Sequence, residues 1–172
     1  NQGGLIAANG AVALNTTSLE NRGGQILAAD NGSLTVTASG QTDNHDGVLA
    51  AADSLTITTG RLNNAGGQIH AQQGAARLTS AGQLTNTAGQ IAAAKDLQIA
   101  ANGLDSRHGQ LIGDNVSLQL GEQTLNNQNG VIAAQSRLAV SSGVLNNDAG
   151  LVQSGGDMRI DTHGQAVSNA AN

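Results

Sequence analysis

The side chains in this sequence best suited to metal ligation or proton transfer are His45, His70, His108 and His163, with Asp30, Asp53, Asp96 and Asp157. A zinc site needs three or four such ligands converging within about 2 Å of one point. General acid–base catalysis needs two carboxyl groups a few ångströms apart in contrasting environments. There is no cysteine, so thiolate ligands and disulfides are excluded. Thr35-Val36-Thr37 and Thr56-Ile57-Thr58 are hydroxyl pairs of the kind found on ice-binding sheets, and Thr79-Ser80-Ala81 follows. Linear order does not tell whether any of these residues meet. That depends on the elements that carry them.

Those elements repeat. LNNAGGQIHAQ at residue 62 returns as LTNTAGQIAAA at 84, LNNQNGVIAAQ at 125 and LNNDAGLVQSG at 145. A glycine stands two residues before an aliphatic residue at Gly4, Gly24, Gly47, Gly67, Gly89, Gly109, Gly130 and Gly150, spaced by 20 to 23 residues. Ile6, Ile26, Leu49, Ile69, Ile91, Leu111, Ile132 and Val152 form the aliphatic column. Two residues on comes a column of small residues: Ala8, Ala28, Ala51, Ala71, Ala93, Gly113, Ala134 and Ser154. A period of two places both columns on one face of a short strand.

A second strand follows a variable loop, with Val12 and Leu14, Leu34 and Val36, Leu55 and Ile57, Leu97 and Ile99, Leu138 and Val140, and Met158 and Ile160. Leu78 with Ser80 reads as a weak copy, and Val116, Leu118 and Leu120 leave their register open by two. Five residues before each anchor stands a third column: Leu19, Thr42, Leu62, Leu84, Leu104, Leu125 and Leu145, continued by Val167. Three short strands per repeat leave no room for a helix, and no 3.6-residue apolar stripe exists. The expected fold is all-β: a parallel β-helix, or solenoid, of about eight coils of 20–23 residues with three short strands each. Strands stacked ~4.8 Å apart make this a rod roughly 38 Å long. A leucine-rich repeat has a similar period but carries more leucines and a helical or 3₁₀ segment. The chain opens on Asn1 rather than Met, so residues 1–172 read as one β-helical segment of a longer shaft.

Two residues after the third column an asparagine recurs at Asn1, Asn21, Asn44, Asn64, Asn86, Asn127, Asn147 and Asn169, with Ser106 the one substitution. Asparagine suits the turns that bend one strand into the next. Stacked in register, each amide can donate to one neighbour and accept from the other. A buried, self-satisfying ladder explains this column better than a ligand site.

Placed on the repeat, the ionisable residues scatter. The histidines fall on different faces and coils, so no metal site is expected, and no cofactor. The aspartates of the loop between strands one and two alternate with Gln73 and Lys95, which solvates a loop rather than building an acid–base pair. No catalytic residue is expected. The net charge of −5 is thinly spread with no basic run, which argues against nucleic acid as a partner. No apolar stretch approaches the ~20 residues of a membrane-spanning helix.

One surface stands apart. The outward positions of strand one include Leu27, Val48, Ile112 and Val131, a tentative contact face for a partner or a neighbouring rod. Unpaired backbone edges on the end coils make end-to-end or lateral self-association an expected hazard.

With these residues in place, LNNAGGQIHA, LTNTAGQIAAAKDLQI and GVIAAQSRLAV resemble the filamentous haemagglutinin repeat of two-partner secretion exoproteins. The resemblance runs through all eight copies. It implies a right-handed β-helical shaft on a large protein, secreted to the cell surface of a Gram-negative bacterium. An outer-membrane transporter would carry that protein across unfolded. It also implies adhesion to a receptor on host or neighbouring cells, or the stalk of a contact-dependent growth inhibition toxin. A polysaccharide-active β-helical enzyme would need a carboxylate cluster that the sequence does not show. The resemblance transfers no active site.

Overall fold

The computed structural model describes residues 1–171; Asn172, the last residue of the 1–172 segment, lies outside them. Among the described residues twenty strands form a single parallel ladder and no helix occurs. The chain is a β-solenoid of eight coils. Their first strands are Leu5–Ala8, Gln25–Ala28, Val48–Ala51 and Gln68–Ala71, then Gln90–Ala93. The openings of Gln110–Gln119 and Val131–Ser141 follow, and Leu151–Ser154 ends the series.

The aliphatic column drives the stacking. Ile26, Leu49, Ile69, Ile91, Leu111 and Ile132 lie directly on one another in successive coils. All six are fully buried, so each is packed by its own copy above and below. Burying such a side chain contributes about 1.5–3 kcal/mol. That aliphatic stack replaces the aromatic core a globular domain would use. The small column sits where strand one bends towards strand two. At Gly113 the bend is so short that a Cβ would press within 3.0–3.2 Å of the Asn115 and Lys95 carbonyls and the Leu97 side chain. Glycine there avoids a contact that its neighbours would have to yield a few tenths of an ångström to accept.

In the second-strand column the fourth coil departs from expectation. Leu78 takes the second place of the column, between Ile57 and Ile99, and Ala76 the first, between Leu55 and Leu97, while Ser80, also buried, follows Thr59. Backbone pairing fixes the register, and an alanine between two leucines is tolerated. Val116 and Leu118 fill the same two columns in the sixth coil. The consequence for the hydroxyl row is that Thr37, Thr58 and Thr79 are in register across three coils, but Arg77 follows Thr35 and Thr56 in the companion row.

Thr42, the polar member of the third column, is fully buried and donates to Thr59 Oγ1 at 3.1 Å. Thr59 hydrogen-bonds onward to the Gly40 and Arg61 carbonyls, so the intrusion into the core is satisfied. In the first and last coils the stacking is one-sided, and Ile6, Met158, Ile160 and Val167 of the core columns are exposed.

Candidate functional site

The Asn column forms the corner between strands three and one. Each corner is a four-residue turn of the pattern Asn-x-x-Gly. In Asn44–Gly47 the glycine N–H donates to the Asn44 carbonyl at 3.0 Å, and the third residue, Asp46, has φ of 53°. The left-handed third position recurs at Ala88, His108, Asn129 and Ala149, so the corner imposes it even on residues with a Cβ. The last glycine has a different reason. A Cβ on Gly47 would run into the carbonyl oxygen of Asn21 in the preceding coil, and Gly67, Gly89 and Gly150 meet the same obstacle.

Across coils the amides form a ladder. Asn1 donates to Asn21 at 2.8 Å, Asn21 to Asn44 at 2.7 Å, Asn44 to Asn64 at 2.7 Å and Asn64 to Asn86 at 2.8 Å. Beyond the interruption, Asn127 donates to Asn147 and Asn147 to Asn169, each at 2.7 Å. The same Nδ2 groups also reach two carbonyls, as Asn44 does with Gly47 and Gln68, except that Asn147 reaches only that of Gly150. Asn21, Asn44, Asn64, Asn86 and Asn127 have no exposed surface. Ser106 breaks the chain. Its Oγ accepts from Asn86 at 3.2 Å, standing where an Asn Oδ1 would, but it has no second arm, and the buried Asn127 Oδ1 has no partner.

A second polar column, immediately before the first, escaped the sequence reading. Asp43, Asn63, Asp105, Asn126 and Asn146 each accept from the backbone N–H two residues on, at 3.1–3.3 Å. Asp43, almost completely buried, also takes Arg22 Nε and Nη2 at 2.6 Å and Asn63 Nδ2 at 3.0 Å. The signal was present: the middle residue of Leu-x-Asn is an oxygen acceptor in every copy. Arg107 clamps Asp105 with hydrogen bonds at 2.7 and 2.9 Å and holds its carboxyl below the usual range.

The candidate catalytic side chains do not converge. His45 Nδ1 pairs with the Ala65 carbonyl at 2.8 Å, and its Nε2 lies 3.4 Å from Asp46. His70 is half-buried on the outer face of strand one, where desolvation lowers its pKa. Asp53 accepts from Ser33 and Ser54 at 3.3 Å, and Asp96 from Asn115 at 2.9 Å. Among the described residues no cluster of three potential metal ligands occurs. One arrangement unforeseen from sequence has the types of a nucleophilic triad: Ser141 Oγ lies 3.0 Å from His163 Nε2, and His163 Nδ1 lies 3.8 Å from Asp161. The second link exceeds hydrogen-bond length, Asp161 Oδ1 instead accepting from the His163 backbone N–H at 3.0 Å. The N–H after the serine, on Ser142, is already donated to the Asp161 carbonyl, which removes the usual oxyanion donor.

The outer face of strand one carries two columns. One reads Leu5, Gln25, Val48, Gln68, Gln90, Gln110, Val131 and Leu151 through the coils; the other reads Ala7, Leu27, Ala50, His70, Ala92, Ile112, Ala133 and Gln153. Leu27, Val48, Ile112 and Val131 are half-buried. They do not form one line. Leu27 and Val48 are diagonal neighbours in coils two and three, Ile112 and Val131 in coils six and seven, with glutamines, His70 and alanines between.

A family model described as the haemagglutinin repeat matches residues 1–32, 31–88, 85–121 and 112–172. No curated protein and no solved structure matches the chain.

Proposed function

From the premise that the chain belongs to the haemagglutinin repeat family, we propose that it is a stretch of the shaft of a large surface protein that attaches a Gram-negative bacterium to host or neighbouring cells. The family implies a secreted bacterial exoprotein, and its repeats are generally structural rather than enzymatic. One observation carries the reading: all eight coils are joined by a single uninterrupted aliphatic stack and an amide corner broken once. Such a stack supplies length and stiffness, with each coil depending only on its neighbours.

Passage through an outer-membrane transporter fits the same chemistry. The sequence has no proline and no cysteine, so neither slow X-Pro isomerisation nor disulfide pairing delays folding after transit. Coils would stack one by one as they emerge.

The test uses the whole protein displayed on cells, with Leu27, Val48, Ile112 and Val131 all changed to Asp. A shaft predicts unchanged cell attachment and unchanged circular dichroism. Loss of attachment in the folded variant would make strand one a receptor-binding face and refute the spacer role. If the display instead arrests the growth of neighbouring cells and the attachment of cells is negligible, the shaft belongs to a toxin stalk.

A further inference from the structure

Four asparagines are followed directly by glycine: Asn9-Gly10, Asn31-Gly32, Asn102-Gly103 and Asn129-Gly130. In such a pair no Cβ on the second residue shields its backbone nitrogen, so the nitrogen can close a five-membered ring on the asparagine side chain. Closure needs the glycine N–H unpaired and the pair free to rotate. At Gly32 and Gly130 neither holds. The Gly32 N–H donates to the Ala29 carbonyl at 2.7 Å and the Gly130 N–H to the Asn127 carbonyl at 3.0 Å. Both glycines also lie against the preceding coil, where a Cβ on Gly32 would run into the Gly10 carbonyl oxygen and one on Gly130 into that of Ser106. Asn102-Gly103 is different. It is the two-residue link between Asp96–Ala101 and Leu104–Asp105, strands two and three of the fifth coil. Asn102 is exposed, and the Gly103 N–H has no hydrogen-bond partner among the described residues. A Cβ on Gly103 would meet nothing nearer than the Thr124 carbonyl oxygen at 3.7 Å, so the link has room to turn. A single hydrogen bond holds the Asn102 side chain, from Nδ2 to the Ala81 carbonyl at 2.9 Å.

We propose that Asn102-Gly103 is a self-modifying site, where asparagine converts without an enzyme to aspartate and isoaspartate and so opens the fifth coil. Hydroxide takes the Gly103 amide proton, and the nitrogen attacks Asn102 Cγ. The N–Cγ bond forms, the Cγ–Nδ2 bond breaks, and Nδ2 takes a proton from water and leaves as ammonia. Water then opens the cyclic imide. Attack at Cγ gives aspartate. Attack at the main-chain carbonyl carbon of Asn102 gives isoaspartate, with the chain now running through Cγ. Either product carries one more negative charge than the asparagine it replaces.

Neither product can keep the link as it is. A carboxylate has no hydrogen to donate, so the Ala81 carbonyl loses its bond and faces a negative oxygen. Isoaspartate also adds a methylene to a link only two residues long. Beside that link the Leu84 N–H donates to the Gly103 carbonyl and the Leu104 N–H to the Thr124 carbonyl, each at 3.0 Å, and both bonds depend on its length. The same coil carries Ser106, where the amide ladder is already broken. The modification therefore falls where the corner gives the least support.

The test holds the native folded chain at pH 8.5 and 37 °C and follows the four asparagines by peptide mass spectrometry, each conversion adding ~1 Da. Conversion at Asn102 is expected about tenfold faster than at Asn31 and Asn129, whose following N–H groups are bonded. Asn9, exposed beside an exposed glycine, supplies the unhindered rate in the same sample. In guanidinium chloride all four are expected to react alike, which assigns the folded difference to structure. Asn102 reacting no faster than Asn31 or Asn129 in the folded chain overturns the proposal, and so does a difference that persists in the denaturant. In the converted protein the Leu84 and Leu104 amides are expected to exchange with solvent deuterium faster than in the fresh protein. Unchanged exchange at both would overturn the opening of the fifth coil.

Discussion

Between Asn21 and Asn86 the corner is a closed chain of amides; between Ser106 and Asn127 it is open. In the first stretch every Oδ1 accepts from the coil before and every Nδ2 donates to the coil after. In the second, Ser106 accepts but hands nothing on to Asn127 Oδ1. The backbone is indifferent to this. Leu104 still stacks on Leu125, and the Ser106 N–H still reaches the Asn126 carbonyl at 2.8 Å. The aliphatic stack and backbone ladder thus define the coil, and the amides add to it locally.

The largest effects test the half of this comparison that should be equal. Ile91→Ala beside the closed stretch and Ile132→Ala beside the open one should each cost about 2–5 kcal/mol in chemical denaturation. A markedly cheaper Ile132→Ala would mean that the open corner loosens the core as well. The next pair should differ. Asn64→Ala leaves Asn86 Oδ1 without its donor, removes one of the acceptors of Asn44 Nδ2 and should cost about 1–3 kcal/mol. Asn127→Ala, whose Oδ1 has no bond to lose, should cost roughly 1 kcal/mol less. Equal losses would show that the ladder bonds carry no net stability.

Ser106→Asn should move the other way. An amide there would accept from Asn86 and donate to Asn127, gaining about 0.5–1.5 kcal/mol and raising Tm by a few degrees. A destabilised variant would mean that the corner backbone at Arg107–Gly109 has adapted to serine.

The smallest effect is on pH. Burial lowers the pKa of His70 from its ordinary 6.5, and hydrogen bonds from Arg107 lower that of Asp105 from 3.8. In each case the unfolded chain takes up the proton first as pH falls, so stability declines on acidification. The His70 contribution begins near pH 6.5 and should vanish in His70→Gln; that of Asp105 begins near pH 4. Thermal melts at pH 8, 5.5 and 3.5 separate the two. A His70→Gln melt as sensitive as the native one between pH 8 and 5.5 would reassign that part of the dependence.

Most of the architecture was legible because a solenoid is nearly one-dimensional. Once Ile26, Leu49 and Ile69 share a column, their stacking follows from chain length alone. The errors came where a column was filled by a weak residue. Ala76 is not conspicuous in sequence, so Leu78 was aligned one step early; only the pairing to Leu55 and Leu97 corrects it. The roles of Asp43 and Asn63 are not legible along the chain because their partners, Arg22 and backbone N–H groups, lie across a coil or around a corner.

The sequence by itself determined the strand period, the three aliphatic columns, the Asn-x-x-Gly corners and the number of coils, since each follows from residue types at fixed local spacing. The tertiary structure decided which atoms meet across coils. Loops of unequal length separate stacked residues by 19 to 23 positions, so neither the orphaned Asn127 oxygen nor the approach of Ser141 to His163 could be counted off along the chain. The alternation of Leu27, Ala50, His70, Ala92, Ile112 and Ala133 appears only once backbone hydrogen bonds place those residues in one row.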